Sequence, residues 1–517
     1  MSFSPRVSVP SSGTTVISSV WLFRGLLGLL AVLLLARLSL LTAGGALSFP
    51  DEDRYLESIK AAQLLLAGQW APAALHVANT QGRPADALLR LPVAVVQVLW
   101  YQLGGPAPEA PPSLVLPQLM NYAVLLGNLL LLYQLGRRWL PKASAVLSCL
   151  LYSALVNTNL YVRHVLPYDM ALLVLLAALV LLTRPGRPVS MRHLSFLTGL
   201  LGVLVVAVYP GYYFAPLLLG AVLLARVPRQ RWREAVLWAA VGAFVLLLPL
   251  ELITRYGHIS YLRTLQTLAP TITQGDFSEG VTFSGNYLWQ VEGPLGLALG
   301  MLALPGLWSL NRIRAAENTA AIRAVGWGSS GLWLLHAALV YFAHQFVFYG
   351  RILHFFLPFL VLYAVSALAM LPATTRRISL IALLGVAVFG FSGFFLTYAS
   401  LAYPRDVLIR LSPQSTDTLS YQNESGIGHA LDFRLPPSTI RPQQVVATSY
   451  YLINFTYPYP LPVTSCQARL APPQARLVFQ GPHFLTFPAY GFEGFIPAER
   501  QHLRFCSFQC RVYKRGE

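Results

Sequence analysis

Charge is what this sequence has least of. Of its 517 residues only 11% are Asp, Glu, Lys or Arg, 55% are hydrophobic, and mean hydropathy is +0.56. A water-soluble domain carries about 25% charged residues. The surface of a soluble enzyme is therefore missing, and a disordered chain is excluded by the same shortage. Cysteine is scarce too: Cys149 lies in an apolar run, and Cys466, Cys506 and Cys510 lie near the C-terminus. Four cysteines exclude a disulfide-rich secreted module and form no metal pattern. One disulfide among the last three suits an oxidising compartment and leaves the third over. Lysine occurs only at Lys60, Lys142 and Lys514, so the net charge of +17 is carried by arginine. Arginine forks hold phosphate or carboxylate bidentately. The basic residues form no stripe or tail that would bind nucleic acid. They sit in small clusters between apolar runs, as membrane orientation requires. The fold class is an α-helical multi-spanning membrane protein.

Val20 to Ala43 is too long and too arginine-flanked for a cleaved signal peptide and reads as a spanning helix. Apolar runs follow at 115–136, 143–161, 169–183, 194–209, 212–226, 234–253, 287–308, 324–346, 352–371 and 378–400. The expectation is about eleven spans. Five basic clusters set their direction: Arg137, Arg138 and Lys142; Arg184, Arg187 and Arg192; Arg226 to Arg233; Arg312, Arg314 and Arg323; Arg376 and Arg377. With the N-terminus cytoplasmic, all five fall on inner loops. The stretch 84–104 breaks this phase if counted as a span, and Arg90, Pro92 and Gln97 suit an amphipathic helix on the outer membrane surface. The expected domains are a transmembrane unit over 1–400, with outer-loop surface helices in 44–114, and a periplasmic soluble domain over 401–517. The tail has β-prone runs at Gln444–Tyr451 and Arg476–Phe479 and reads as a small mixed α/β domain. A third outer loop, 254–286, carries Asp276 and Glu279.

Three outward clusters can carry chemistry. The first is Phe49-Pro50-Asp51-Glu52-Asp53-Arg54-Tyr55, directly after span one. Carboxylates contribute little to orientation, so they either cap a helix over 52–67 or face a cavity, and one carboxylate can do both. The second is Tyr161, Arg163, His164, Tyr168 and Asp169, where Asp169 caps a helix, pairs with an arginine or faces the first loop. The third is His344, Gln345, Tyr349, Arg351 and His354. An outer arginine does not serve the positive-inside bias, so Arg351 pairs with a carboxylate or holds an anion. Such a boundary suits a substrate with a lipid tail and an anionic head, a carboxylate acting as base and arginines stabilising a departing phosphate.

The run from Phe49 to Glu57, continued by Lys60-Ala61-Ala62 and Ala67-Gly68-Gln69-Trp70, resembles the first outer loop of GT-C glycosyltransferases. The likeness is strongest to bacterial lipid A aminoarabinose transferases and protein O-mannosyltransferase relatives. Gly82-Arg83-Pro84, Tyr133 to Arg138, Arg163 to Asp169, and Tyr349-Gly350-Arg351 with Leu357-Pro358 follow in the family's order, over residues 20–400. The resemblance implies an inverting transferase in the bacterial inner membrane, taking a polyprenyl-phosphate sugar to a lipid, glycan or protein acceptor on the outer face. It implies Asp51 as general base, Glu52 beside it positioning the acceptor or sharing that role, and Asp169 as the second-loop carboxylate. Arg83 and Arg351 would hold the donor phosphate, with Arg163 and His354 behind them. Some GT-C enzymes employ a divalent ion, which Asp51, Glu52 and Asp169 could ligate; a metal-free mechanism is favoured. Two departures leave the sugar and acceptor open: Gly82-Arg83 stands where the aminoarabinose enzymes carry glutamate and lysine, and Tyr209-Pro210-Gly211 where they carry threonine-lysine-glycine. A transporter with a relay through His336, His344, Glu251 and Asp169 is the rival, although paired broken helices of inverted repeats are not apparent. A non-catalytic envelope scaffold, with tail aromatics such as Tyr450, Tyr451, Phe455, Tyr457 and Tyr459 contacting partners, is the other.

Overall fold

The computed structural model describes residues 13–47, 50–185, 190–273, 281–312, 319–343, 350–400, 419–422, 450–453, 475–482 and 511–515. Phe49, Arg187, Asp276, Glu279, Arg314, His344, Gln345, Tyr349, Cys466, Cys506, Cys510 and the tail aromatics Phe455, Tyr457 and Tyr459 lie outside the described residues.

The helices are α1 (Gly13–Leu38), α2 (Asp53–Leu66), α3 (Trp70–Ala78), α4 (Pro84–Gln102), α5 (Pro111–Gly136) and α6 (Lys142–Ala154). Next come α7 (Val156–Arg163), α8 (Tyr168–Leu182), α9 (Met191–Val208), α10 (Ala215–Arg226), α11 (Trp232–Tyr256) and α12 (Tyr261–Thr273). The last are α13 (Val281–Gln290), α14 (Gly293–Ser309), α15 (Thr319–Ala343), α16 (Gly350–Met370) and α17 (Ala373–Ser400). Among the described residues, six segments are long and apolar enough to cross a membrane: Val20–Thr42, Pro111–Gly136, Met191–Val208, Arg229–Tyr256, Gly350–Met370 and Ala373–Thr397. Helices α6, α8 and α14 are apolar and shorter.

The apolar runs of the sequence fall on helices within the described residues, with two corrections. The run 287–308 is divided between α13 and α14 by a turn at Val291–Glu292 before the left-handed Gly293 (φ 64°). The run 143–161 is split between α6 and α7 at Leu155, which is extended (φ −65°, ψ 141°). The cause is local: Thr158 Oγ1 and Asn159 Nδ2 both donate to the Leu155 carbonyl, and such short polar side chains compete with the helix for its backbone.

Helix α4 is amphipathic with its polar side inward. Asp86, Arg90 and Gln97 are buried, while Val96, Leu99, Trp100, Tyr101 and Leu103 at its end are exposed. That inversion suits a helix whose outer side meets lipid, with aromatic residues at the interface. Pro84 at its first turn needs no backbone donor there. The preceding Gln81 and Gly82 are both left-handed (φ 51° and 78°), a reversal for which glycine carries no steric penalty.

Helix α16 runs through the centre and is the most enclosed of the six long segments. It packs closely on α14, where a Cβ on Gly306 would lie 1.7 Å from the Tyr363 carbonyl oxygen. In the tail, β1 (Leu419–Gln422), β2 (Tyr450–Ile453), β3 (Ala475–Gln480) and β4 (Arg511–Arg515) form one sheet in the order β1-β2-β4-β3. The β1–β2 pair is parallel and the other two are antiparallel, with a register shift between Leu477 and Phe479.

Candidate active site

Asp51 sits in a short 3-10 turn, Pro50–Glu52, immediately before α2. It does not cap that helix: the N-cap position is Glu52, and no side chain there makes a cap bond. Three guanidinium groups converge on the Asp51 carboxylate instead. Arg351 Nη1 lies 2.5 Å from Oδ2, Arg54 Nη1 2.8 Å from Oδ1, and Arg83 Nη2 3.8 Å from Oδ2. The Tyr168 hydroxyl donates to Oδ2 at 3.1 Å. The site thus assembles from the turn before α2 and its first residues, the residue before α4, the start of α8 and the first turn of α16. Its aromatic wall is Tyr168 and Tyr209: Arg351 lies 5.8 Å from the Tyr168 ring centroid and Arg83 5.1 Å from that of Tyr209. The two rings meet edge to face at 4.7 Å.

Among the described side chains, three guanidiniums share one carboxylate. Among the same residues, the buried Arg54 Nε, Arg83 Nε and Arg83 Nη1 have no hydrogen-bond acceptor. Buried guanidinium donors without acceptors are costly, so this arrangement suits a further anion. Burial acts to raise the Asp51 pKa, but Arg54, Arg351 and Arg83 outweigh it and hold the carboxyl well below the usual carboxylate range. A pKa depressed in the folded protein stabilises the fold at pH above the unfolded value. That contribution is lost only as pH falls through the folded value. With a free-enzyme base ionised this far down, kcat/KM should show no acid limb from Asp51 above about pH 4. In Arg351→Gln that limb should move upward; a wild-type limb near pH 6 that Arg351→Gln leaves in place would contradict this account of Asp51.

The neighbouring Glu52 points the other way. Fully buried, it accepts the Val165 N–H at 2.5 Å and faces His164 Nδ1 at 3.1 Å. It pins the segment after α7, which other side chains also grip: Gln118 holds the Arg163 carbonyl, Asn121 that of His164 and Arg90 that of Leu166. Arg163 is fully buried and donates to the Ala43 and Gly44 carbonyls at the end of span one, away from the Asp51 cluster. This lacing fixes Tyr168 against Asp51. Glu52→Ala, which strands His164 and the Val165 N–H, should cost about 3–5 kcal/mol of stability, read as a lower melting temperature of the purified protein.

Asp169 and His354 form a second tier beneath the first. Asp169, in the first turn of α8, is 2% exposed and faces no arginine at ion-pair distance; its Oδ1 lies 3.1 Å from His354 Nε2. His354 Nδ1 lies 2.7 Å from Asn157 Oδ1, and Asn157 Nδ2 donates to the Gly350 carbonyl at 3.0 Å. Asp51, Arg83 and Arg351 therefore meet, whereas the contacts described for Asp169, Glu52, Arg163 and His354 are made elsewhere. Arg54, three residues beyond Asp51, carries a role that its presence in the acidic motif did not reveal. Among the described residues no group of three His, Cys, Asp or Glu side chains is placed to hold a metal ion. Of the residues expected in a transport relay, His344 lies outside the described residues and Asp169 faces His354. His336 hydrogen-bonds the Tyr213 hydroxyl at 2.9 Å, while Glu251 binds Arg255, Ser260 and the Leu262 N–H at the start of α12.

No family model and no curated protein sequence matches the chain. Solved structures do. ArnT from Cupriavidus metallidurans bound to undecaprenyl phosphate matches with a TM-score of 0.50 at 13% identity, over 86% of this chain and 94% of that one. The same enzyme in its apo state matches with a TM-score of 0.52 at 14% identity, over 85% and 93%. The Archaeoglobus fulgidus oligosaccharyltransferase tethered to an acceptor peptide matches with a TM-score of 0.50 at 12% identity, over 81% of this chain and 63% of that one. Agreement at such low identity, over most of this chain and nearly the full length of ArnT, is agreement of architecture: the chain has the fold of these solved structures.

Proposed function

We propose that the protein is a membrane glycosyltransferase that moves a sugar from a polyprenyl-phosphate donor to an acceptor on the outer face of the membrane. The observation that carries this is the convergence of Arg54, Arg83 and Arg351 on Asp51 beside aromatic rings, with buried Arg54 and Arg83 nitrogens that have no acceptor among the described residues. Guanidinium forks match phosphate oxygens, and pre-placed cations stabilise charge on a departing phosphate. Two structures of this fold, the ArnT complex and an archaeal AglB complex, hold undecaprenyl phosphate and dolichol-phosphate respectively.

Asp51 is the general base of an inverting, direct displacement. In the empty site its carboxylate is too strongly paired to take a proton well. A donor phosphate draws guanidiniums to itself, frees Asp51 and raises its basicity. It then accepts the proton of the attacking acceptor hydroxyl while that oxygen bonds to the anomeric carbon, and the phosphate leaves with the bonding pair. Donor binding and base activation are thereby one event.

In this account the eleven apolar runs of the sequence all cross the bacterial inner membrane, the N-terminus is cytoplasmic, and the domain over 401–517 faces the periplasm. The five arginine clusters then lie inside and the Asp51 cluster outside. The test incubates purified protein with polyprenyl-phosphate sugars and scores release of free carrier phosphate. Release that needs both an acceptor and Asp51 supports the proposal, and no release from any donor across pentoses and hexoses overturns it.

A further inference from the structure

Arg37, inside the apolar run of α1, is the most anomalous side chain in the membrane unit. It is fully buried, yet Nε, Nη1 and Nη2 all lack an acceptor. An arginine inside a span is expensive unless something satisfies it. Its guanidinium lies 5.8 Å from the Phe391 ring centroid, which does not replace five hydrogen bonds.

Three further polar atoms in the same neighbourhood are also buried without partners: Asp169 Oδ2, Asn128 Oδ1 and the Tyr152 hydroxyl. Asp169 and Tyr152 are within electrostatic reach of Arg37. Asn128 Nδ2 donates to the Asp169 carbonyl at 3.0 Å, and the Tyr152 ring lies 6.4 Å from the His354 ring. Among the described residues, unmet donors on α1 therefore lie within electrostatic reach of unmet atoms on α6 and α8, the latter beside Asn128 of α5. Arg37 and Asp169 do not meet at ion-pair distance. A polar gap with two to four partners per site is where ordered water belongs.

We infer that Arg37 is the counter-cation of Asp169, joined to it by ordered water enclosed by Asn128 and Tyr152, and that this buried unit positions the Asp51 cluster. The transmission is geometric. Tyr168 and Asp169 are neighbours on α8, and Arg351 and His354 are one turn apart on α16. Asp169–His354 thus clamps the same two helices whose next side chains, Tyr168 and Arg351, hold Asp51. Arg37 touches no residue of the upper tier and is a positioning residue.

The stability arm is independent of the transferase proposal. Arg37→Met and Asp169→Asn should each lower the melting temperature by about 5 °C. The double variant should regain at least half of the summed loss, because neither charge is then left alone. Strictly additive losses overturn the pairing. If Arg37→Met does not fold, Arg37→Gln completes the same cycle. A high-resolution experimental structure should show water between the two side chains, and a dry gap overturns the bridge. The activity arm rests on the transferase proposal. There, Arg37→Met should lower kcat about 10-fold with donor KM unchanged, and Arg37→Lys should restore most of it. A rise in KM at unchanged kcat overturns the positioning role. Absence of transfer by the wild type defeats the transferase proposal and leaves the stability cycle standing.

Discussion

Asp51→Asn is expected to lower sugar transfer by about 10³-fold or more while the donor still binds. Asparagine keeps the shape of the side chain and removes both its basicity and its charge. Three guanidiniums then face one another with no anion between them, so the empty site is the state that suffers. A bound phosphate relieves that repulsion. Donor affinity should therefore hold or tighten while kcat collapses, a split that separates loss of a base from loss of a fold. Equal losses in donor affinity and kcat would point to a purely structural carboxylate, and normal turnover would remove Asp51 from the mechanism.

The second large effect is expected at Arg351. Its Nη1 makes the shortest of the three contacts to Asp51, and it enters from α16, the most enclosed of the long helices, so its position is well determined. Charge-assisted bonds contribute about 1.5–3 kcal/mol. Arg351→Ala should accordingly weaken donor binding by about 10- to 150-fold and leave the acceptor KM within about 2-fold. Equal weakening of donor and acceptor would place Arg351 outside the phosphate site. Lysine in its place should recover only part of the affinity, because a point charge cannot offer two parallel donors.

The spans were legible because hydropathy acts over windows of about 20 residues and tolerates local irregularity. The break at Leu155 was not legible from hydropathy, since it depends on Thr158 and Asn159 turning back onto one carbonyl. At the site, Asp51, Arg83 and Arg351 could be singled out because each is a charge beside an apolar run and outside the five basic clusters. Direction is what a linear pattern withholds. Asp51 and Glu52 are adjacent and Tyr168 and Asp169 are adjacent, yet in each pair one side chain meets the arginines and the other turns into the protein. Consecutive residues of a helical turn point about 100° apart, so a motif of neighbouring carboxylates does not say which one is presented. Arg163 and Arg351 look alike as outer arginines; one is consumed by the Ala43 and Gly44 carbonyls and the other reaches Asp51. Arg37 is visible as a charge within an apolar run, but the run alone does not say that its guanidinium ends up fully buried.

The most direct test of the central claim is donor turnover by wild type and Asp51→Asn side by side, each incubated with the polyprenyl-phosphate sugar that the wild type consumes, plus acceptor. The account predicts stoichiometric release of carrier phosphate and inverted product from the wild type, and donor bound but unconsumed by Asp51→Asn. Carrier release at the same rate from both proteins would contradict it.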